Sequence, residues 1–411
     1  MPNQPPEQEA QPQSAWPRWE GWWRILFIAA LITTGLLSPL AFLLVSKGIG
    51  WHRTQRLPAN VRSRTTILAQ KQQPLLASQI DNLLTQQVNA QQFSGSVLIA
   101  QNGQTLLDKG YSMANWDTST PNTPDTRFYL GSITKGFTAM AVLILQEQGK
   151  LHIQAPLCTY IPNCPSPWQP VSIQEVLTHT SGIPQLNDTQ LANTSPADWI
   201  ASFDNAPLQF TPGGQFQYCS ICYQILAYVV QRASGMPYSQ FIQQAILNPL
   251  QMTSSGFDMT FYYAQPGSAL GYETWQVKSP SASFQVDPQW SFLFGSGLLY
   301  STVNDLYRWD QALSSGTLVP QQTITQAFTP YVNATLFPNT TYGYGWFISP
   351  APVQGHQLSW HDGVIDGFRN YIGRYVNDNV TIIFLSNLST LDILSLSHSI
   401  ETLIFGQPAN N

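Results

Sequence analysis

Tyr129-Leu130-Gly131-Ser132-Ile133-Thr134-Lys135 opens an apolar helical run that continues from Gly136 to Gln148. A serine and a lysine three residues apart lie on one face of the first helical turn. A serine hydroxyl is a poor nucleophile near neutral pH and needs a base beside it. Lysine serves as that base only when its pKa is lowered. Partial burial and the positive end of a helix both act in that direction. The stretch predicts a serine acyl-transfer site, and the rest of the chain has to supply its other parts.

Those parts come from 411 residues, enough to bury a large core. Charged residues are 9% of the chain, far below the usual quarter. Gln, Ser, Thr and Asn carry the surface instead. The net charge of -5 has no block of one sign, which argues against a nucleic-acid partner. No Cys/His cluster has metal-ligand spacing, and no cofactor is implied. Cys158 and Cys164 flank a proline-containing loop and can close a local disulfide. Cys219 and Cys222 fall on one helical turn, a poor geometry for a bridge, and read as buried thiols.

The N-terminal 1–24 is rich in Pro and Gln and reads as a disordered tail. Ile25 to Val45 contains no charge over 21 residues, which as a helix spans about 30 Å, one hydrocarbon core. Trp16, Trp19, Trp22, Trp23 and Trp51 flank it as an interfacial belt. A transmembrane helix is expected at 25–45. A cleaved signal peptide competes, but the run is long and no small-x-small site closes it. Arg18 and Arg24 precede the span; Lys47, Arg53, Arg56, Arg62 and Arg64 follow it. The positive-inside rule alone places the large domain in the cytoplasm. The chemistry and the candidate disulfide favour an outward-facing, extracytoplasmic domain; sequons at Asn187, Asn193, Asn333, Asn339, Asn379 and Asn387 agree but carry little weight, since they arise by chance in an Asn- and Thr-rich chain.

Residues 46–73 read as a basic, Gln-rich linker, with the globular domain over 74–408. Gly95 to Ala100 and Thr105 to Tyr111 read as strands, and Asn102-Gly103 between them is a hairpin signal. A loop-rich middle carries helical runs at Ile173–Leu177 and Tyr223–Ala233. Strands return at Tyr344–Ile348, Gly367–Tyr375 and Val380–Ser386, and Leu391–Phe405 closes as a helix. Strands at both ends around a helical insert predict an α+β fold: an antiparallel sheet backed by helices, with a helical lobe beside it.

Two further candidates complete the site. Tyr218-Cys219-Ser220 follows the loop Phe210-Thr211-Pro212-Gly213-Gly214. His361-Asp362-Gly363-Val364 follows a strand-like stretch, and its glycine would let a substrate lie close to the backbone. The order Ser-x-x-Lys, Tyr, His-x-Gly, about 86 and 143 residues apart, resembles the serine β-lactamase-like superfamily, in particular its class C β-lactamase, DD-peptidase and esterase branch. Leu177-Thr178-His179-Thr180-Ser181-Gly182-Ile183, Gly295-Ser296-Gly297-Leu298-Leu299-Tyr300-Ser301-Thr302 with Asp305, Leu306 and Trp309, and Tyr342-Gly343-Tyr344-Gly345-Trp346 extend the resemblance.

The resemblance implies that Ser132 attacks an acyl carbonyl and Lys135 takes or relays its proton. It implies that Tyr218 is the second acid/base and His361 takes the place of a lysine. The amides of Ser132 and Val364 would form the oxyanion hole, with Ser220, Gly363 and Val364 against the substrate. Ser220 replaces an asparagine, and His361 is largely neutral where a lysine would hold a substrate carboxylate. Both departures weaken a β-lactamase reading and leave acyl transfer on an ester or peptide intact. His179 is expected to bond backbone. Asp362 and Asp366 are read either as tuning His361 or as solvated carboxylates. Tyr300, Trp346 and Phe368 are candidate pocket walls. The expected function is a membrane-anchored serine hydrolase acting on a D-amino-acid peptide or short acyl ester. The rival readings are a penicillin-recognising sensor with slow deacylation, a weak β-lactamase and an inactive scaffold.

Overall fold

The computed structural model describes residues 59–185, 196–257, 266–278, 294–353 and 355–406. The expected tail, the expected membrane span at 25–45, and Asn187 and Asn193 lie outside the described residues. Among the described residues no helix is long and apolar enough to cross a membrane. Contacts divide the chain into Met1–Thr66 and Ile67–Asn411, and the site lies in the second unit.

We label the main elements in chain order. Helix α1 is Ala59–Asn89, β1 Gly95–Gln101, β2 Gln104–Tyr111, α2 Thr134–Glu147 and α3 Ile173–Leu177. Then follow α4 Ser220–Ser234, α5 Val303–Ser315, α6 Gln321–Ala327, β3 Val332–Asn333 and β4 Thr341–Tyr342. The chain ends with β5 Phe347–Val353, β6 His356–Ile365, β7 Phe368–Tyr375, β8 Val380–Ser386 and α7 Ile393–Phe405. The linker expected over 46–73 is therefore helical from Ala59 onward. Residues 59–73 hold no glycine and include Gln, Arg and Ala, all compatible with a helix, and α1 runs through Pro74.

The eight strands form one sheet in the order β2-β1-β8-β7-β6-β5-β4-β3. The ladders are antiparallel throughout. Asn102 and Gly103 both adopt positive φ, 55° and 73°, which the tight hairpin between β1 and β2 requires. The first strand thus pairs with the last, Gly95 opposite Ser386, which draws both ends of the unit into one sheet.

Both faces of the sheet are covered, so the central strands are apolar without alternation. On β8, Val380, Ile382 and Phe384 face one core with Ile80 and Leu84 of α1 and Leu396 and Ile400 of α7. Ile383 and Leu385 face the other, which α2, α4 and α5 share. In that second core the helical lobe packs Phe137 on Trp309, ring centroids 4.2 Å apart.

One buried ion pair ties sheet to lobe. Arg374 of β7 and Asp310 of α5 are both buried, 2% and 3% exposed. Arg374 Nε donates to the Asp310 carboxylate, and its Nη2 donates to the Asp310 carbonyl and Ser314 Oγ. Thr381 Oγ1 of β8 donates to the second carboxylate oxygen at 2.7 Å. Removing one partner leaves a buried charge uncompensated. Arg374→Leu is expected to cost about 3–5 kcal/mol, read as a lowered denaturation midpoint.

Candidate active site

Ser132 sits in a single 3₁₀ turn, Gly131–Ile133, that feeds directly into α2. Gly131 takes positive φ, 58°, at the sharp entry. The segment is held from several sides. Leu130 N donates to the Leu299 carbonyl at 2.8 Å, and Leu299 N donates to Thr134 Oγ1 at 3.3 Å. Asn370 Nδ2 of β7 donates to the Tyr129 carbonyl at 2.8 Å.

Lys135 is fully buried. Its Nζ lies 2.9 Å from Ser132 Oγ, 2.9 Å from the Ser296 carbonyl and 3.5 Å from Ser220 Oγ. Burial lowers its pKa to about 7, against the opposing pull of the Asp362 charge. In the neutral amine, two N–H bonds can serve Ser296 and Ser220, which turns the lone pair towards Ser132.

Tyr218 completes the group. Its hydroxyl is hydrogen-bonded to Ser132, and its ring centroid is 4.9 Å from Lys135 Nζ. Burial pushes the phenol well above its ordinary range, so Tyr218 rests protonated. His179 pins the backbone on both sides of it: Gln217 N donates to the His179 carbonyl at 2.9 Å, and Cys219 N donates to His179 Nδ1 at 3.0 Å. The imidazole also packs on the Tyr218 ring, centroids 4.5 Å apart. Burial holds His179 neutral, which keeps Nδ1 available as an acceptor.

Cys219 and Cys222 are bridged, contrary to the expectation of two thiols. Cys219 is not inside the helix. It is the N-cap of α4, extended at φ -132° and ψ 100° where a helical residue is not, and the two Cα atoms lie 5.3 Å apart, a normal bridging distance. Cys158 and Cys164 are bridged as well. Ser220, the first residue of α4, thereby faces Lys135.

His361, Asp362, Gly363 and Val364 lie within β6 rather than after a strand. Gly363 is opposite Asn370, the residue that holds Tyr129. A side chain at Gly363 would overlap the Leu130 carbonyl. The missing side chain therefore makes room for the nucleophile's own turn, not for substrate as expected. Gly131 in turn packs on the Val364 amide. This brings the Val364 N–H beside the nucleophile turn, and its side chain is exposed at the rim.

His361 is buried, and both ring nitrogens are engaged. Nδ1 donates to the Asp362 carbonyl at 2.6 Å, and Nε2 accepts from Tyr342 Oη at 3.3 Å. Burial and the charge of Lys135 lower its pKa to about 3, so the ring is neutral at working pH. Asp362 is half-buried, its carboxylate 3.7 Å from His361 Nδ1, and burial raises its pKa. Asp366 is exposed in the turn after β6. Tyr300, Trp346 and Phe368 are core residues: Trp346 lies on Gly136 of α2, and Phe368 packs edge-on to Tyr129.

Sequence reasoning missed the Ser296 carbonyl, Tyr342 and Asn370 as parts of the site. The Gly295-Ser296-Gly297 and Tyr342-Gly343-Tyr344 patterns were visible, but neither names a hydrogen bond to a residue more than a hundred positions away or across the sheet.

Residues 80–392 match the family model described as Beta-lactamase. The chain is 34% identical over 293 residues, 71% of its length and 70% of the relative's, to the protein named "Putative penicillin-binding protein PbpX" of Bacillus subtilis (strain 168). Two solved structures share 26% identity with it. An octameric penicillin-binding protein homologue from Pyrococcus abyssi superposes with a TM-score of 0.70, covering 80% of this chain and 77% of that one. A penicillin binding protein from Bacillus halodurans superposes at 0.64, covering 78% and 98%. The chain belongs to the beta-lactamase family of penicillin-binding-protein-like serine hydrolases.

Two outcomes follow from the geometry. Gly363→Ala forces β6 away from Leu130, and a displacement of about 1 Å at a reacting group costs about 100-fold in rate, so kcat should fall by that order while the melting temperature shows a folded protein. A base with a pKa of about 7 acts only when deprotonated. The pH profile of kcat/KM should therefore rise tenfold per unit below pH 7 and level above it, with His361 adding no second limb between pH 5 and 9.

Proposed function

We propose that this member of the beta-lactamase family is a membrane-anchored serine hydrolase that works through a covalent acyl-enzyme on an ester or peptide. The observation that carries the reading is the 2.9 Å contact between Ser132 Oγ and a buried Lys135 Nζ whose pKa is about 7.

In this reading neutral Lys135 takes the hydroxyl proton as Ser132 Oγ bonds to the acyl carbon. The amides of Ser132 and Val364 stabilise the oxyanion. Tyr218, protonated at rest, gives its proton to the leaving oxygen or nitrogen as that bond breaks. Lys135 then returns the proton to Tyr218, to which it lies close. In the second half a water attacks the acyl carbon, its proton passes to the Lys135–Tyr218 pair, and Ser132 leaves reprotonated. Ser220 helps orient Lys135, and His361 holds the shape of the strand that supplies the oxyanion amide.

The anchor we assign to the apolar segment 25–45, with the catalytic domain on the extracytoplasmic side. Two disulfides in the fold support an oxidising compartment. The substrate class is a D-amino-acid peptide or a short acyl ester.

Intact-mass analysis of wild type and Ser132→Ala, each mixed with a penicillin, a D-Ala-D-Ala peptide or an activated short-chain ester, tests the reading. With at least one donor, a mass increment in the wild type that clears with time, and is absent from the variant, is the expected result. An increment that persists with every donor would make the protein a sensor. Full turnover by Ser132→Ala would overturn the serine mechanism.

A further inference from the structure

The same site, on the acyl-enzyme reading above, carries a statement about its substrate. Lysine at the first position of a Lys-x-Gly strand offers a permanent cation to a carboxylate on the substrate. Here that position is His361, and three observations remove it as an anion anchor. The side chain is 1% exposed. Its Nδ1 proton is given to the Asp362 carbonyl at 2.6 Å. Its Nε2 is an acceptor already taken by Tyr342 Oη at 3.3 Å. A carboxylate therefore finds no N–H on this ring.

The next residue works in the same direction. Asp362 puts a carboxylate on the strand that carries the Val364 amide, 3.7 Å from His361 Nδ1. Two cations act on it, Lys135 and Arg369. Neither is spare. Lys135 is buried and held by Ser132 and the Ser296 carbonyl. Arg369, opposite Val364 on β7, donates its Nε to the Ser389 carbonyl at 2.8 Å, and its charge acts on Asp362. A second carboxylate brought to this strand would meet the Asp362 carboxylate and compete with it for the cations that already act on it. Like charges placed together at a binding site are a standard means of rejecting a ligand.

We propose that His361 and Asp362 make the cleft selective for acyl donors that carry no carboxylate next to the scissile bond, with Asp362 as the specificity-determining residue. Neutral esters, interior amide bonds and amine-bearing leaving groups are accepted. A peptide ending in a free carboxylate directly after the scissile bond is a poor substrate.

The test uses the full chain and two thioesters of one acyl group, one with 3-mercaptopropionate and one with 3-mercaptopropionamide as leaving group. Thiol release gives kcat/KM for each, divided by its rate with hydroxide to remove intrinsic reactivity. The corrected ratio should favour the amide at least tenfold in the wild type. Asp362→Asn should shift that ratio at least tenfold towards the carboxylate, and Asp362→Ser should shift it the same way should the first variant fold poorly. A merely structural role lowers both rates and leaves the ratio in place. A wild-type ratio near one, or in favour of the carboxylate, overturns the proposal, as does a ratio that neither variant moves. Absence of turnover together with absence of a Ser132 adduct for both thioesters overturns the acyl-enzyme reading beneath it, and is distinguished from a selectivity failure by the mass spectrum.

Discussion

A lysine ammonium removed entirely from water is the constraint around which this unit is arranged. Burial penalises the charged form, and nothing adjacent fully restores it. Asp362 acts in the opposite direction from within the same cleft, and the balance leaves the amine near pH 7. A more exposed Lys135 would remain protonated and be no base. A more deeply isolated one would lose its polar partners and leave N–H groups unsatisfied. The Ser296 carbonyl and the Ser132 and Ser220 hydroxyls supply those partners, and each arrives from a different part of the chain.

Bringing these parts together is the task of backbone contacts as much as side chains. Strand β6 and the turn before Ser132 meet at Gly363 and Gly131, where any added side chain would overlap the opposing backbone. Asn370 reinforces the meeting from the neighbouring strand: its Nδ2 donates to Tyr129, and its Oδ1 accepts from Ser386 N of β8. The nucleophile is thus positioned by the sheet, while Lys135 is positioned by α2. Tyr218 has a third support. His179 fixes the residues on either side of it, and the Cys219–Cys222 bridge holds the corner where the loop becomes α4.

The two histidines near the centre share one physical state for different reasons. His179 is neutral and uses Nδ1 as an acceptor for a backbone N–H. His361 is neutral and uses Nδ1 as a donor to a backbone carbonyl. Both are kept uncharged by burial, and the charge of Lys135 adds to the effect on each. A low-dielectric pocket that lowers the pKa of a lysine also suppresses protonation of any imidazole beside it. The absence of a fixed cation on β6 is therefore coupled to the burial that makes Lys135 basic.

Local pattern alone determined a good share of this protein. Ser132 and Lys135 were legible because a three-residue spacing on a helix is a local fact. The β1–β2 hairpin was legible because Asn102-Gly103 supports positive φ, and β8 and α7 because their apolar runs were long and well bounded. Tyr218 and His361 were singled out by order along the chain, not by any local rule. Tertiary structure decided the rest. The Ser296 carbonyl meets Lys135 across 161 positions, and Asn370 meets Tyr129 across 241. That Cys219 and Cys222 bridge goes with where α4 begins: Cys219 is its extended N-cap and not a residue inside the helix. Whether Gly363 makes room for substrate or for Leu130 depends on which backbone packs against it. The pKa of Lys135 is likewise a property of its surroundings, because desolvation is set by every group that excludes water, and these include Tyr218 and Tyr223, more than eighty positions away.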